Sequence, residues 1–354
     1  MEGSATEGLP AGIEAGALGR WLTDHVEHVT APVRFALIAG GNSNLTYAAT
    51  DANGRRLVVR RPPLRGVLST AHDMEREWRA IRALGDTAVP VPPALAFCDD
   101  TSVIGSDFYV TEFVAGHVLH DLAGAVAATT PSSRARTSES IVDVLCELHA
   151  IDPDDVGLGE HGRRDGNYLE RQLGRWSRQY AQTKTDEIPD VERAHTLLTA
   201  RVPPVGETRV VHGDYRLGNC ILAESGAVAA VVDWEISTLG DPLADVAYLL
   251  TTWARPAGPV GRLHGAELSP SMAEGFAEPE QLLARYAERS GRDVGGIAFH
   301  LAFNHWRYAC IAQGVRSRQL DGAQGDAPTA DLKAMAIAVR ERAALALRTL
   351  AAGT

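Results

Sequence analysis

Lysine is almost missing from this chain. Of its 34 basic residues only Lys184 and Lys333 are lysines, so cationic work in the N-terminal third falls to arginine. Cysteine is also sparse: Cys98, Cys146, Cys220 and Cys310 are scattered, without a C-x-x-C pair or histidines at metal-ligand spacing. A disulfide framework and a zinc site are therefore not expected, and a reduced, cytoplasmic chain is. No apolar run approaches membrane-spanning length. Met1 to Gly12 has neither a basic start nor an apolar core, so it reads as a disordered lead-in and not as an export signal. A basic excess is absent too. With a net charge of −11 and a pI of about 5.6, the chain lacks the surface needed to displace counterions from nucleic-acid phosphates. The acidity is compatible with a cationic substrate, and equally with solubility alone.

What is present is an ordinary soluble composition over 354 residues, 45% hydrophobic and 22% charged, enough for two lobes with their own cores. The most informative stretch is Val211-His212-Gly213-Asp214-Tyr215-Arg216-Leu217-Gly218-Asn219-Cys220-Ile221-Leu222, answered by Val231-Val232-Asp233-Trp234-Glu235. Glu224-Ser225-Gly226 between them is a turn cluster flanked by apolar β-formers, so the two runs read as a hairpin that brings Asn219 and Asp233 together. Asp214 lies on the preceding loop, where a carboxylate can accept a hydroxyl proton while Asn219 and Asp233 offer oxygens to Mg²⁺. The parts suit phosphoryl transfer.

The order H-x-D-x-x-x-x-N, strand, turn, strand, D resembles the catalytic and metal-binding loops of the protein-kinase-like fold. H-G-D-Y-R-L-G-N followed by V-V-D-W-E-I-S-T-L-G-D-P-L-A-D-V-A is more closely similar to the aminoglycoside phosphotransferase superfamily, in the branch that includes the kinase-like domains fused to some acyl-CoA dehydrogenases. The resemblance runs from about Val33 to Leu320 and is strong from Val211 to Leu250. It implies an α+β bilobal fold: a small N-terminal β-sheet lobe over 1–115 and a larger, mostly helical C-terminal lobe over 116–354. It also implies ATP and Mg²⁺ as cofactors and a small-molecule hydroxyl as acceptor, in a transferase with an alcohol group as acceptor. Within that frame Asp214 is the base, and Asn219 and Asp233 are the metal ligands. Glu235 reaches a second metal, an outer water or the substrate.

The N-terminal third carries the nucleotide residues that the resemblance implies. Gly40-Gly41-Asn42-Ser43-Asn44, between strands at Val33 to Ile38 and Leu45 to Ala49, is either a phosphate-covering loop or a plain hairpin turn. On the strand Leu57 to Arg61, alternation puts Val58 and Arg60 on one face. Arg60 takes the family's lysine place and Val58 its adenine place. A guanidinium is a planar fork where the lysine is a point charge, so the substitution changes the geometry; a solvated surface arginine is the alternative. A helix over Ser69 to Gly85, with Met74, Trp78, Ile81 and Leu84 as its buried stripe, carries Glu77 as the acid paired with Arg60 and Glu75 as its competitor. Backbone groups of Glu112, Phe113 and Val114 would meet the adenine edge, before a hinge at Ala115-Gly116.

In the C-terminal part, His149 and His212 read as structural, Asp245 as a brace for the catalytic loop, and Asp241 with Pro242 as a helix start. His161, Arg163, Arg164 and Asp165 read as a solvated loop. Arg255 to Phe276, rich in Gly and Pro, reads as a loop or lid. On a later helix, Asn304, His305, Arg307 and Arg316 either meet an acidic or phosphorylated substrate or form a polar helix face. The acceptor stays open between a hydroxyacyl compound, to which the closest branch points, and an aminoglycoside, choline, homoserine or sugar. Other readings are a nucleotide-binding pseudokinase scaffold, prompted by Arg60 and opposed by intact Asp214, Asn219 and Asp233, and a metal-dependent hydrolase, opposed by the lack of a histidine-rich ligand set. Oligomeric state is not legible in the sequence.

Overall fold

A computed structural model describes residues 11–39, 44–64, 73–253, 268–320 and 332–353. Gly40 to Ser43, residues 65–72 and residues 254–267 lie outside the described residues, and with them most of the phosphate-loop expectation, the expected start of the second helix and much of the expected lid. The chain divides into two compact units. One comprises residues 1–115 together with Ala230–Ile236, the other Gly116–Ala229 with Ser237–Thr354. The short segment holding Asp233, Trp234 and Glu235 thus belongs with the N-terminal unit, and the C-terminal unit is not one continuous stretch.

In the first unit, helix α1 (Ala15–His25) precedes strands β1 (Arg34–Ala39), β2 (Leu45–Thr50) and β3 (Arg56–Arg61). Helix α2 (Met74–Leu84) and strands β4 (Ala94–Cys98) and β5 (Phe108–Glu112) follow. The strands form one antiparallel sheet in the order β1-β2-β3-β5-β4, leaving β4 on an edge. Alternation along β3 is as the pattern predicts: Leu57, Val59 and Arg61 are buried while Val58 and Arg60 are half-buried on the opposite face. Leu18, Leu22, Tyr47, Leu57, Val59 and Phe108 form the core between α1 and the sheet, where a fully buried large apolar side chain contributes about 1.5–3 kcal/mol. Helix α2 starts at Met74, with Asp73 accepting from the Arg76 amide at 2.9 Å. Its buried stripe is Met74, Glu77, Ala80, Ile81 and Leu84. Trp78, expected inside, is only half-buried, because the stripe is turned by one residue and an acid takes the inward place.

The second unit opens with α3 (Leu122–Ala128) and α4 (Pro131–Ala150). The latter starts with a capping box between Thr130 and Ser133 and a proline in its first turn, a strong start signal. Helices α5 (Tyr168–Thr183) and α6 (Pro189–Thr199) lead to β6 (Arg209–Val211) and to the pair β7 (Cys220–Leu222) and β8 (Val228–Val231). The turn between them is closed by Ala223 and Ala227. Gly226 sits there at φ +87°, and a Cβ would lie 2.0 Å from the Ser133 carbonyl oxygen, so nothing larger fits. Strand β9 (Thr238–Gly240) pairs with β6. Helices α7 (Pro242–Trp253), α8 (Pro279–Ser290), α9 (Ile297–Leu320) and α10 (Leu332–Ala352) complete the unit. Its core joins α5, α6, α9 and α10 around Phe303 and Trp306. No helix among the described residues is long and apolar enough to cross a membrane.

Candidate active site

In the first unit the site grows from strand register. Arg60 on β3 pairs laterally with Thr46 on β2 and Tyr109 on β5, so these three side chains share one face. The Arg60 fork spreads over three partners: Nε donates to Glu77 Oε2 at 3.1 Å, Nη1 to Thr46 Oγ1 at 3.4 Å, and Nη2 to Asp233 Oδ1. A lysine would have to serve all three from a single nitrogen, where the guanidinium spreads its donors over a planar fork. Burial works against the charge on Arg60, but Glu77, Tyr109, Asp233 and Glu235 outweigh it and hold its pKa above the ordinary value. The surface-arginine alternative does not hold, and neither does Glu75 as partner, which pairs with Arg79 on the exposed side of α2.

Glu77 is fully buried, and burial pushes its carboxyl up against the pull of Arg60. Its oxygens are all used. Oε1 accepts from the Trp234 amide at 3.2 Å, and Oε2 accepts from Arg60 and, at 3.5 Å, from Asn44 Nδ2; Tyr109 donates to the same carboxylate. One acid therefore ties α2, β3, β5 and the D-W-E segment together, which is why 230–236 clusters with this unit. Asp233 itself adopts a left-handed backbone, φ +69°, a conformation that aspartate tolerates better than most residues. Glu235 accepts from Asn44 Nδ2 at 3.2 Å. Val58 lies opposite Ala48 and Thr111, on the Arg60 face. Around the expected hinge, the Glu112 amide donates to the Pro93 carbonyl at 2.9 Å and the Phe113 amide to the Arg56 carbonyl at 3.2 Å. The Glu112 side chain pairs with Arg55, and Arg56 lies 3.5 Å over the Phe113 ring. Of the backbone groups expected at the adenine edge, the Glu112 and Phe113 amides are thus already committed.

In the second unit Asp214 sits on the loop after β6. Its Oδ2 accepts from Asn219 Nδ2 at 2.7 Å and from Arg216 Nε at 3.4 Å, and Tyr248 donates to the carboxylate as well. Asn219 Nδ2 also reaches the Asp214 carbonyl at 2.8 Å. The loop is braced from beneath by Asp245 on α7, which accepts from the amides of His212 at 2.6 Å and Gly213 at 2.8 Å. Burial opposes the Asp245 charge, yet His149, His212 and the Gly213 amide hold its carboxyl below the usual range. His149 is bonded to Tyr286 at 2.8 Å, and His212 Nδ1 accepts from the Asp214 amide at 3.2 Å. Both histidines are structural, as expected. Asp241 accepts from the Leu243 amide at 2.9 Å and pairs with His300 at 2.8 Å, which makes it a helix start.

Of the two readings of the α9 residues, the polar helix face is not what the structure shows. Asn304, His305 and Arg307 are buried, so they form no exposed polar face. His305 Nδ1 meets Arg342 at 3.0 Å, and burial with that cation pushes its pKa down to about 3, which keeps it neutral. Arg307 donates to the Gly213 carbonyl at 3.0 Å and lies 4.8 Å over the Tyr248 ring. Arg316 is bound to Asp186 at 2.8 Å and to Thr185, so its charge is matched within the unit. His161, expected in solvent, is buried and bonded to Ser237 at 2.7 Å, whereas Arg163 and Asp165 are an exposed pair.

Sequence reasoning missed the stack beside Asp214. Tyr248 and Tyr308 lie face to face with centroids 5.7 Å apart, Arg307 over the first and Arg342, at 4.9 Å, over the second. A signal existed: Asp241, Asp245 and Tyr248 follow helical spacing along one side of α7.

Mg²⁺ asks for oxygen donors and keeps part of its water and phosphate shell. In the second unit Asn219 spends its nitrogen on Asp214, which leaves its oxygen as a donor of that kind, and in the first unit Asp233 and Glu235 are carboxylates. Asn44 adds a buried Oδ1 with no hydrogen-bond partner among the described residues. No group of three or more His, Cys, Asp or Glu among the described residues forms a metal cage.

An antiparallel five-stranded unit with one inserted helix, followed by a mostly helical unit carrying the H-G-D loop, defines the kinase-like phosphotransferase fold. The model of the phosphotransferase enzyme family matches residues 34–291, and the chain belongs to that family. It is 37% identical over 298 residues to acyl-CoA dehydrogenase family member 10 of Mus musculus, covering 83% of this chain and 27% of that protein. Over 288 residues it is 34% identical to family member 11 of Rattus norvegicus, covering 80% of this chain and 36% of that one. The chain thus spans about a quarter to a third of the length of these relatives. A Ralstonia eutropha crystal structure, provisionally assigned as an aminoglycoside phosphotransferase, matches with a TM-score of 0.80 at 33% identity over 95% of this chain and 98% of that one. A thermostable aminoglycoside phosphotransferase mutant in ternary complex with ADP and hygromycin B matches with a TM-score of 0.61 at 17% identity, over 94% of this chain and 98% of that one, and shares the fold.

Proposed function

We propose that the chain transfers the γ-phosphoryl group of ATP to a hydroxyl of a small molecule. The observation that carries this reading is the fixing of the Asp214 carboxylate by Asn219, Arg216 and Tyr248 on a loop braced by Asp245. A loose transition state asks for placement of the acceptor oxygen more than for strong basicity, so a well-positioned carboxylate that takes the hydroxyl proton suffices. Arg60, oriented by Glu77 and Thr46, is assigned to the donor phosphates, with Gly40 to Asn44 as their cover and Val58 against the adenine. At the adenine edge the carbonyls of Glu112 to Val114 and the Val114 amide take the contacts, since the other two amides are committed. Asp233 and Asn219, with Glu235 further out, would hold Mg²⁺, which supplies charge neutralisation at the transferring group. A fold neighbour bound to ADP and another bound to AMP-PNP support a nucleotide donor.

For the acceptor we favour an anionic or acyl hydroxy compound. Arg216 and Arg307 flank the Asp214 loop, and cations there repel a polyamine such as an aminoglycoside. The names of the relatives point to acyl-CoA chemistry in the same polypeptide, which suits a hydroxyacyl acceptor. The test is ADP release from Mg-ATP across hydroxyacyl-CoAs, free hydroxy acids, aminoglycosides, choline and sugars, with Asp214→Asn in parallel. Stimulation by one class that the substitution abolishes supports the kinase reading and identifies the acceptor. ATP binding without stimulation by any class or by a cell extract would favour the pseudokinase reading.

A further inference from the structure

The first unit also contains a cavity of about 520 Å³, lined by none of the residues assigned above to the nucleotide, the metal or the acceptor, between α1, α2 and the edge strand β4. That volume lies within the range of small-molecule sites, about 300–1,000 Å³. Four of its lining residues, Trp21, His25, Trp78 and Phe97, are ring-bearing, and Ala94, Leu95 and Ala96 complete the β4 wall. On the α1 side the Trp21 indole and the His25 imidazole are stacked, 4.5 Å apart and within 8° of parallel. Phe108 meets the edge of Trp21 at 4.8 Å and holds that ring in place. On the other side Trp78 of α2 lies against Phe97 of β4, 6.3 Å between centroids, and against Tyr109 at 6.0 Å. Trp78 is the residue that the turned α2 stripe leaves half-buried, and this cavity is what it faces. Arg82 stands one helical turn beyond Trp78 on the same side of α2 and also lines the space. Among the described residues the charged and titratable groups of the lining are thus Arg82 and His25, with no aspartate or glutamate, although the chain as a whole carries −11.

We propose that this cavity is a second ligand site, which takes a planar aromatic carboxylate with its ring against the Trp21 and Trp78 indoles and its carboxylate toward Arg82. Flat rings gain from offset stacking on indole faces, and an arginine fork matches a carboxylate in two hydrogen bonds. A cationic ligand would find the ring faces but no counter-charge, and would be repelled by Arg82.

The chain's six tryptophans provide the test. The full chain is labelled with 5-fluorotryptophan, its six fluorine resonances are assigned with Trp21→Phe and Trp78→Phe, and it is titrated with 2-naphthoate. The resonances of Trp21 and Trp78 shift saturably, those of Trp176, Trp234, Trp253 and Trp306 do not, and 2-naphthylmethylamine binds at least tenfold more weakly. Arg82→Glu, at an exposed position that leaves folding intact, weakens naphthoate at least tenfold. Shifts at the other four tryptophans, a linear response without saturation, equal binding of the amine, or unchanged affinity in Arg82→Glu would each overturn the assignment.

Discussion

The cation of the first unit and the carboxylate of the second that we propose as the base are held by different means. Arg60 is fixed by side chains, Glu77, Thr46 and Asp233, brought from three segments onto one sheet face. The loop that presents Asp214 is fixed largely through its backbone: Asp245 grips the amides of the two preceding residues, and Arg307 holds the Gly213 carbonyl. A side-chain network can be disrupted one charge at a time, and each loss strands a partner. A loop held by its backbone tolerates exchange of the side chain it presents. The two halves should therefore fail differently, the second in chemistry and the first in stability.

The largest effect is expected at Asp214. Asp214→Asn keeps the shape of the loop and should lower kcat by about 10²–10⁴-fold, the usual worth of a general base, while ATP affinity and melting temperature stay close to wild type. Loss of folding would mean that the backbone brace is weaker than the geometry indicates. Next comes Arg60→Ala, which leaves the fully buried Glu77 without its cation. Removing one member of a buried pair costs about 3–5 kcal/mol, visible in denaturant unfolding without any ligand. Arg60→Lys should recover part of that stability but not the contact with Thr46 or Asp233. If Arg60→Ala unfolds like wild type, the side-chain network does not hold this half together.

Asp245→Asn probes the brace. It replaces a charged acceptor of two amides and should cost about 1.5–3 kcal/mol. The Asp245 carboxyl is held below the ordinary range, so the stability it adds is fully present above about pH 4 and is lost as pH falls through the depressed value. The gap between wild type and variant should thus be complete at pH 7 and narrow toward pH 3. A gap that widens on acidification would reverse the assigned sign. Tyr248→Phe is milder. It removes one hydrogen bond to Asp214 and keeps the ring stack, so kcat should fall about tenfold, equivalent to roughly 1.4 kcal/mol, with KM for ATP unchanged.

How much of this was legible in the sequence follows the same division. The strand alternation of β3, the Glu224-Ser225-Gly226 turn and the brace at Asp245 could be read directly, because period, turn chemistry and motif spacing are local. The pairing of Arg60 with Glu77 was legible through family spacing alone. Three things were not legible. The phase of α2, which buries Glu77 and turns Trp78 outward, is decided by an ion pair with another strand. The stack of Tyr248 on Tyr308 joins helices 60 positions apart. The amides of Glu112 and Phe113 are spent on Pro93 and Arg56, and backbone partnerships leave no mark on residue identity.

The smallest predicted effect is also the sharpest check on where the acceptor is read. From sequence, Arg316 reads either as a contact to an acidic or phosphorylated substrate or as part of a polar helix face. In the structure it is tied to Asp186 and Thr185, with 14% of its side chain exposed. Its partner Asp186 is 42% exposed, so solvent screens the pair, and surface pairs of this kind contribute at most about 1 kcal/mol. Arg316→Ala should therefore lower stability by no more than that and leave KM for the acceptor unchanged. Arg307→Lys, which changes a fork that holds the Gly213 carbonyl and covers Tyr248, should raise KM or lower kcat. An acceptor KM that moves with Arg316 and not with Arg307 would shift the binding region to the far end of α9, away from the loop that presents the base.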